Sequence, residues 1–251
     1  MMMQKVEGII IRTIDYGETN KVVTLFTKEL GKIGVMARGA KKPKSRLSAA
    51  SQLFMYGIFV IQTSSGLGVL QQADITSSFR DIRSDLRRAA HASYMLELTD
   101  KLTDEKTRYS EIFKLLYQIL IYIDEGLDVD VLKMIFETKM LAVAGIKPEL
   151  DQCSSCGSIN QPIAFSIKNA GFLCPKCRNK DPHAFQLNPQ HVKLLRLFYY
   201  VDLERLGHIS LKNETKKYIQ MIIDSYYQEY SGLRLKSKRF LEQLERFDLN
   251  E

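Results

Sequence analysis

Four cysteines, the only four in the chain, fall as two CxxC pairs: Cys153-x-x-Cys156 and Cys174-x-x-Cys177, with the 17 residues Gly157 to Leu173 between them. Each CxxC turn aims two sulfurs at one point, and a segment that doubles back can bring the second pair to the same point. That is the arrangement of a tetrahedral zinc site. The local residues suit it. Gly157 follows the first pair, where a tight knuckle favours a residue without a Cβ. Ala164–Lys168 reads as a strand, Asn169–Gly171 as a turn and Phe172–Cys174 as the returning strand. Two disulfides would need an oxidising compartment, and a redox CxxC would need one pair beside a strand-helix-strand unit. Four thiolates leave no open position for water or substrate, so the reading is one structural zinc per chain held by Cys153, Cys156, Cys174 and Cys177. His183 follows closely but is not needed as a ligand.

The elements that must position these sulfurs lie in a chain of 251 residues, 45% hydrophobic and 26% charged, enough for one large core or two modest ones. No run of about 18 apolar residues is present, so no membrane span is expected. Residues 1–7 lack the apolar stretch of a signal peptide. With thiolate-type cysteines, this places the protein in the cytoplasm.

The net charge is +7, and its distribution is uneven. Residues 1–80 hold 11 Lys and Arg against 5 Asp and Glu, whereas residues 81–251 hold 25 against 24. A concentrated basic excess is the footprint of a polyanion-binding surface. Within it, the segment Ala37-Arg-Gly-Ala-Lys-Lys-Pro-Lys-Ser-Arg46 carries Arg38, Lys41, Lys42, Lys44 and Arg46 and no acid. Such a cluster neutralises phosphates and releases counterions. Arg80, Arg83, Arg87 and Arg88 could extend the track, partly offset by Asp81 and Asp85. Of the nearby aromatics, Phe54 reads as core, while Tyr16 and Tyr56 could stack on bases.

Residues 6–12, 21–27, 32–38, 53–62 and 67–73 read as five short strands, with a turn at 63–66. Five strands with interior glycines suggest a small closed barrel, of the oligonucleotide-binding (OB) type or SH3-like. From about Ser84 the apolar period becomes 3.6. Helices are expected over 85–102, 109–123, 128–144, 188–201, 213–230 and 234–247, with Asn188 and Asn213 as N-caps. The fold class is therefore α+β multidomain: a five-stranded OB-type barrel over 1–80, then an all-helical domain over 81–251 with a four-cysteine zinc hairpin inserted at 150–180. No Walker-type phosphate loop, HExxH or GxSxG is present. His91, His183, His191 and His208 are scattered and read as surface or capping residues, so no enzyme activity is expected.

The chain resembles the RecO family of bacterial DNA repair proteins from end to end. The resemblance rests on Gly8-Ile-Ile-Ile-Arg12, Asp15-Tyr-Gly-Glu-Thr-Asn20, the basic segment 37–46 ahead of Gln52-Leu-Phe, Gly145-Ile-Lys-Pro148, and the two CxxC pairs. It implies a recombination mediator that binds single- and double-stranded DNA and anneals complementary strands. With RecR, such a mediator helps load RecA onto DNA coated by single-strand-binding protein (SSB), whose acidic C-terminal tail the helical domain contacts. It further implies a nucleoid-associated location and no nucleotide hydrolysis. Without the resemblance, the residues also admit an RNA-binding or ribosome-associated zinc-ribbon protein, or an interaction scaffold with an idle basic loop.

Overall fold

Alternation of apolar and polar side chains makes the first third of the chain a sheet. The computed structural model describes residues 2–63, 66–207 and 209–248. Part of the turn expected at 63–66, and His208, lie outside these. Strands β1 (Met2–Tyr16), β2 (Asn20–Thr27), β3 (Gly31–Ala37), β4 (Tyr56–Thr63) and β5 (Gly68–Ser77) pair in the order β1-β2-β3-β5-β4. β4 pairs back onto β1, closing a barrel. Every pairing is antiparallel except β3 with β5, where Val35 faces Gly68 and Met36 faces Val69. Val6, Ile10, Val23, Leu25, Val35, Phe59, Ile61 and Leu70 point inward as one buried core.

β1 is twice the length expected from residues 6–12, because it serves two partners. Met2–Ile9 pair with β4, and Gly8–Tyr16 pair with β2 across a bulge between Ile10 and Arg12. The strands cross at Gly8, where an added Cβ would lie 3.3 Å from the Phe26 carbonyl. Phe54 donates its N–H to Ile10 at 3.2 Å with a left-handed backbone, φ 69°, and its ring is buried as expected. A non-glycine residue holds that conformation only when its surroundings over-determine it.

Helices follow: α1 (Arg46–Ala50) inside the basic segment, α2 (Arg80–Ser84), α3 (Leu86–Leu102), α4 (Ser110–Asp124), α5 (Val129–Val143), α6 (Pro189–Tyr200), α7 (Asn213–Tyr230) and α8 (Lys236–Asp248). Asp85, Asp128 and Asn188 cap α3, α5 and α6 through backbone N–H groups. Asn213 does not cap α7. It lies inside the helix, Lys212 holds the cap position, and no side chain makes the bond. The short α1 and α2 carry too few residues for a period to show in the sequence. Among the described residues, no helix is long and apolar enough to cross a membrane.

Packing groups the chain into two compact units, Met1–Gly126 with Leu235–Glu251, and Leu127–Arg234. In the first, α3 packs on β1, and α8 returns to pack on α3. Glu97 of α3 accepts from the Ser237 N–H at 2.8 Å and from the Lys236 N–H at 3.2 Å, satisfying orphan donors at the start of α8. His91 is buried on α3, not on the surface as expected; its Nδ1 donates to the Arg87 carbonyl at 2.8 Å. In the second unit, Tyr227 of α7 donates to the Glu137 carbonyl of α5 at 2.9 Å. Between α5 and α6 lies a small sheet of β6 (Ala164–Ser166), β7 (Gly171–Leu173) and β8 (Phe185–Gln186), in the order β7-β6-β8.

Two positions in the first unit test this packing. At Gly31, φ is 68° and a Cβ would overlap the Thr107 carbonyl, whereas at Gly17, φ is 59° with open space around it. Gly31→Ala is expected to cost about 3 kcal/mol or more, and Gly17→Ala only about 1 kcal/mol, in urea unfolding. Equal losses would place the barrel turn elsewhere. At Glu97, burial raises the carboxyl pKa, but the Ser237 hydroxyl and the Ser237 and Lys236 N–H groups outweigh it and hold it low. A depressed folded pKa stabilises above the unfolded value and is lost as pH falls through the folded one. Acidification below about pH 4.5, the ordinary value for this group, is therefore expected to loosen α8 in wild type. In hydrogen exchange, Glu97→Gln is expected to remove that pH step.

Candidate metal centre and basic surface

Two knuckles build the sulfur cluster. In the first, Gly157 donates to the Cys153 carbonyl at 2.8 Å with φ 69°, and Cys153 donates to the Ser158 carbonyl at 2.8 Å. In the second, Pro175 opens a 3-10 turn (Pro175–Lys180), and Cys177 donates to the Cys174 carbonyl at 3.0 Å. The β6–β7 hairpin doubles the chain back, and Ser154 donates to the Phe172 carbonyl at 2.8 Å, pinning one knuckle beside the other. Asp181 is buried behind them. It accepts from the Ser166 hydroxyl at 2.6 Å and from the His183 N–H at 3.0 Å.

The four sulfurs all lie within 4.8 Å of one another, and Cys156 Sγ is 3.7 Å from Cys174 Sγ. Tetrahedral ligands at about 2.3 Å from a zinc ion stand about 3.8 Å apart, so the set fits zinc. Electrostatics agree. Burial raises the Cys153 thiol, but N–H groups of Cys174, Ser155 and Cys156 overcome it and hold it down to about 6. At Cys156 the Ser158 N–H pulls down, yet the sulfurs of Cys177 and Cys153 push it up to about 11. The two thiols are thus pushed apart, Cys153 held low by backbone N–H groups and Cys156 held high by the neighbouring sulfurs. His183 is exposed and outside the sulfur set.

The basic segment is fixed to the barrel at its start. Gly39, at φ 64°, donates to Asn20 Oδ1 at 2.8 Å, Lys41 N–H donates to the Thr19 carbonyl at 2.9 Å, and Ala40 is buried beneath. The loop therefore lies against the β1–β2 hairpin tip. Ser45 then caps α1, accepting from the Leu47 N–H at 3.2 Å. Arg38, Lys41, Lys42, Lys44 and Arg46 are all exposed. Lys41 pairs with Asp15 at 3.0 Å; among the described residues the other four make no ion pair. The fixing role of Asn20 was not read from the sequence; its place in Asp15-Tyr-Gly-Glu-Thr-Asn20 was the available signal.

The arginines of α2 and α3 divide. Arg83 is exposed and donates to the Gln52 side chain just beyond α1, so it joins the basic segment. Arg87 is exposed on the first turn of α3. Arg88 is half-buried and donates to the Asp124 carbonyl at 3.1 Å, which commits its guanidinium to the end of α4. Of the aromatics, Tyr56 is already engaged: its ring stacks on Tyr117 at 4.1 Å and its hydroxyl donates to Glu7 at 2.7 Å. Burial and that bond raise its pKa. Tyr16 stands 58% exposed at the hairpin tip beside the basic loop.

Two family models match the chain, one described as recombination protein O N terminal over residues 1–79, the other as recombination protein O C terminal over residues 83–239. Among curated relatives, the DNA repair protein RecO of Halalkalibacterium halodurans is 60% identical over 244 residues, spanning 97% of this chain and 96% of that protein. The DNA repair protein RecO of Bacillus pumilus is 55% identical over 244 residues, spanning 97% and 95%. That of Bacillus cereus is 51% identical over 248 residues, spanning 99% and 100%.

The metal centre is testable without any activity assay. Cobalt titrated into the metal-stripped protein is expected to give the charge-transfer and d–d bands of a four-thiolate tetrahedral site at one equivalent. Cys174→Ser is expected to weaken binding and shift those bands. Octahedral spectra, or four freely titrating thiols after metal addition, would contradict the geometry.

Proposed function

Because the chain belongs to the recombination protein O (RecO) family, we propose that it acts in DNA repair as a recombination mediator. In this reading it binds single- and double-stranded DNA, anneals complementary strands and, with RecR, helps load RecA onto SSB-coated DNA. The observation that carries the DNA-binding step is the row of exposed cations Arg38, Lys41, Lys42, Lys44 and Arg46, held against the barrel by Asn20 and Thr19. Arg83 and Arg87 extend it; Arg88 contributes by holding α3 to α4.

We read the barrel as the OB type. The cyclic order β1-β2-β3-β5-β4 with β3 and β5 parallel supports that assignment. The nucleic-acid-binding part is then residues 1–80, and residues 81–251 supply the partner contacts, including that to the SSB tail. The four cysteines hold one zinc ion, whose chemistry is to crosslink two knuckles. No step of annealing passes through it, and the protein is not an enzyme in this reading. Cations hold two strands against their mutual repulsion by neutralising phosphates, and base pairing between the strands supplies the free energy.

The experiment is strand annealing with SSB-coated complementary oligonucleotides, with and without ATP, for wild type and for the variant with Arg38, Lys41, Lys42 and Lys44 all changed to Ala. Wild type is expected to anneal equally with or without ATP. The variant is expected to keep its melting temperature and to lose affinity uniformly across base sequences. Its slope of log affinity against log salt is expected to fall by about one per phosphate contact removed. An unchanged slope would move the surface to Arg83 and Arg87. A preference for structured RNA over single-stranded DNA would replace the reading with an RNA-binding one.

A further inference from the structure

The sulfur cluster is asymmetric in a way that structural ligation does not require. Cys153, Cys174 and Cys177 are buried, whereas Cys156 is exposed. The surface around Cys156 stays open: Gly157 is exposed, and Ile159, three residues on, is 86% exposed. The Cys153 sulfur is occupied within the cluster, accepting the Cys174 N–H at 3.5 Å. The Cys156 sulfur stands 3.7 Å from that of Cys174, which belongs to the other knuckle. A dissolved oxidant therefore meets one sulfur first, with a buried one waiting beside it. Oxidation of cysteine follows thiolate character and exposure, and a redox-sensing cysteine stands next to a resolving one.

Bonds that involve no sulfur hold this pair in place. Ser154 donates its N–H and its hydroxyl to the Phe172 carbonyl at 2.8 and 3.1 Å, two residues ahead of Cys174. Lys180, at the end of the 3-10 turn, donates to the Ser155 hydroxyl at 2.7 Å, one residue ahead of Cys156. The two knuckles thus stay aligned while the bonding of the sulfurs changes, and closing the pair asks for side-chain shifts rather than strand movement. The exposed sulfur lies on one knuckle and its neighbour on the other. A bond between them therefore joins the same two segments that a bound metal joins.

From this geometry we infer that Cys156 and Cys174 form a peroxide-responsive pair, in which Cys156 is oxidised, Cys174 resolves it, and the disulfide releases the metal while keeping the knuckles joined. The Cys156 thiolate attacks one oxygen of hydrogen peroxide; the O–O bond breaks, hydroxide leaves and a sulfenic acid forms. The Cys174 thiolate attacks that sulfur; the S–S bond forms, the S–O bond breaks and a second hydroxide leaves. The two thiolates together lose two electrons, and the peroxide gains both. Cys153 and Cys177 are then the only thiolates left, too few for a tetrahedral set. The disulfide closes the loop from residue 156 to 174 and so restrains the unfolded chain. The inference rests on the zinc reading and adds a redox response to it.

The test treats the zinc-loaded full chain with a single equivalent of hydrogen peroxide under argon, in the presence of a chromogenic zinc chelator. Without peroxide the metal is expected to stay bound over the same time. With it, the chain is expected to release its zinc, and peptide mapping by mass spectrometry to link Cys156 to Cys174. Dithiothreitol and added zinc are expected to restore the metal content. The oxidised chain is expected to melt above the reduced, metal-stripped chain. Cys156→Ser is expected to release its metal about tenfold more slowly at the same dose. The wild-type mapping stands even if that variant holds no metal. Zinc retained after the peroxide, a disulfide confined to one CxxC pair, or a sulfinic acid at Cys156 with no disulfide would each overturn the inference. So would a variant that releases metal as fast as wild type, or an oxidised chain that melts no higher than the stripped one. A chain that binds neither zinc nor cobalt would defeat the metal reading itself, before any peroxide is added.

Discussion

One strand serving two partners is the constraint on which the N-terminal unit depends. β1 must give its first half to β4 and its second half to β2, and the changeover occurs within residues 8–12. Gly8 makes it possible, because it pairs with Thr27 on one side and Gly57 on the other with no room to spare. The bulge at Ile10 and Arg12 turns the strand, and Ile10 then exchanges backbone hydrogen bonds with the 54–55 corner, at 2.9 and 3.2 Å. A bulge increases local twist, and twist closes the sheet. Past the changeover, β1 runs on beside β2, which pairs with β3 on its other side, and the β1–β2 turn at their end is what the basic loop rests against. The charge cluster owes its fixed position to a bulge more than twenty residues earlier in the chain.

The second unit solves a different problem at its cysteine hairpin. The buried cluster there consists of Cys153, Ala164, Leu173, Cys174, Cys177 and Ala184. Half of those residues are cysteines and two are alanines, so the side of the hairpin that meets the sulfurs offers little apolar area, whereas Phe165 and Phe172 are buried and pack on each other, and Phe165 packs on Tyr226 of α7. Below a certain core size, metal ligation supplies the folding energy that burial cannot. The backbone is already arranged for it, since N–H groups of Cys174 and Cys156 stabilise the Cys153 thiolate before any ion arrives. The surrounding bonds, Arg196 to the Leu150 carbonyl at 2.7 Å and Tyr230 to the Ile167 carbonyl at 2.6 Å, fasten this small sheet to α6 and α7.

Local chemistry was legible in the sequence, and long-range pairing was not. Spacing alone brought together the four cysteines, and caps such as Asp85, Asp128 and Asn188 lie where their residue types place them. The five-stranded sheet followed by helices was readable from the change of period near residue 84. The length of β1 was not, because its ends mix apolar and polar residues without a clear alternation and acquire strand structure only from partners up to about sixty residues away. Tyr56 looked available for stacking because nothing nearby in sequence announces Tyr117 or Glu7. His91 looked like a surface residue because burial depends on which face of α3 meets its neighbours.

The kinds of residue on the basic segment bear on how it would work. Lysine and arginine neutralise phosphates whatever the base sequence, so cations along the backbone would suit two strands as well as one. Affinity on this surface would come from charge. The free energy of annealing would come from the DNA, which is consistent with a chain carrying no phosphate-binding loop.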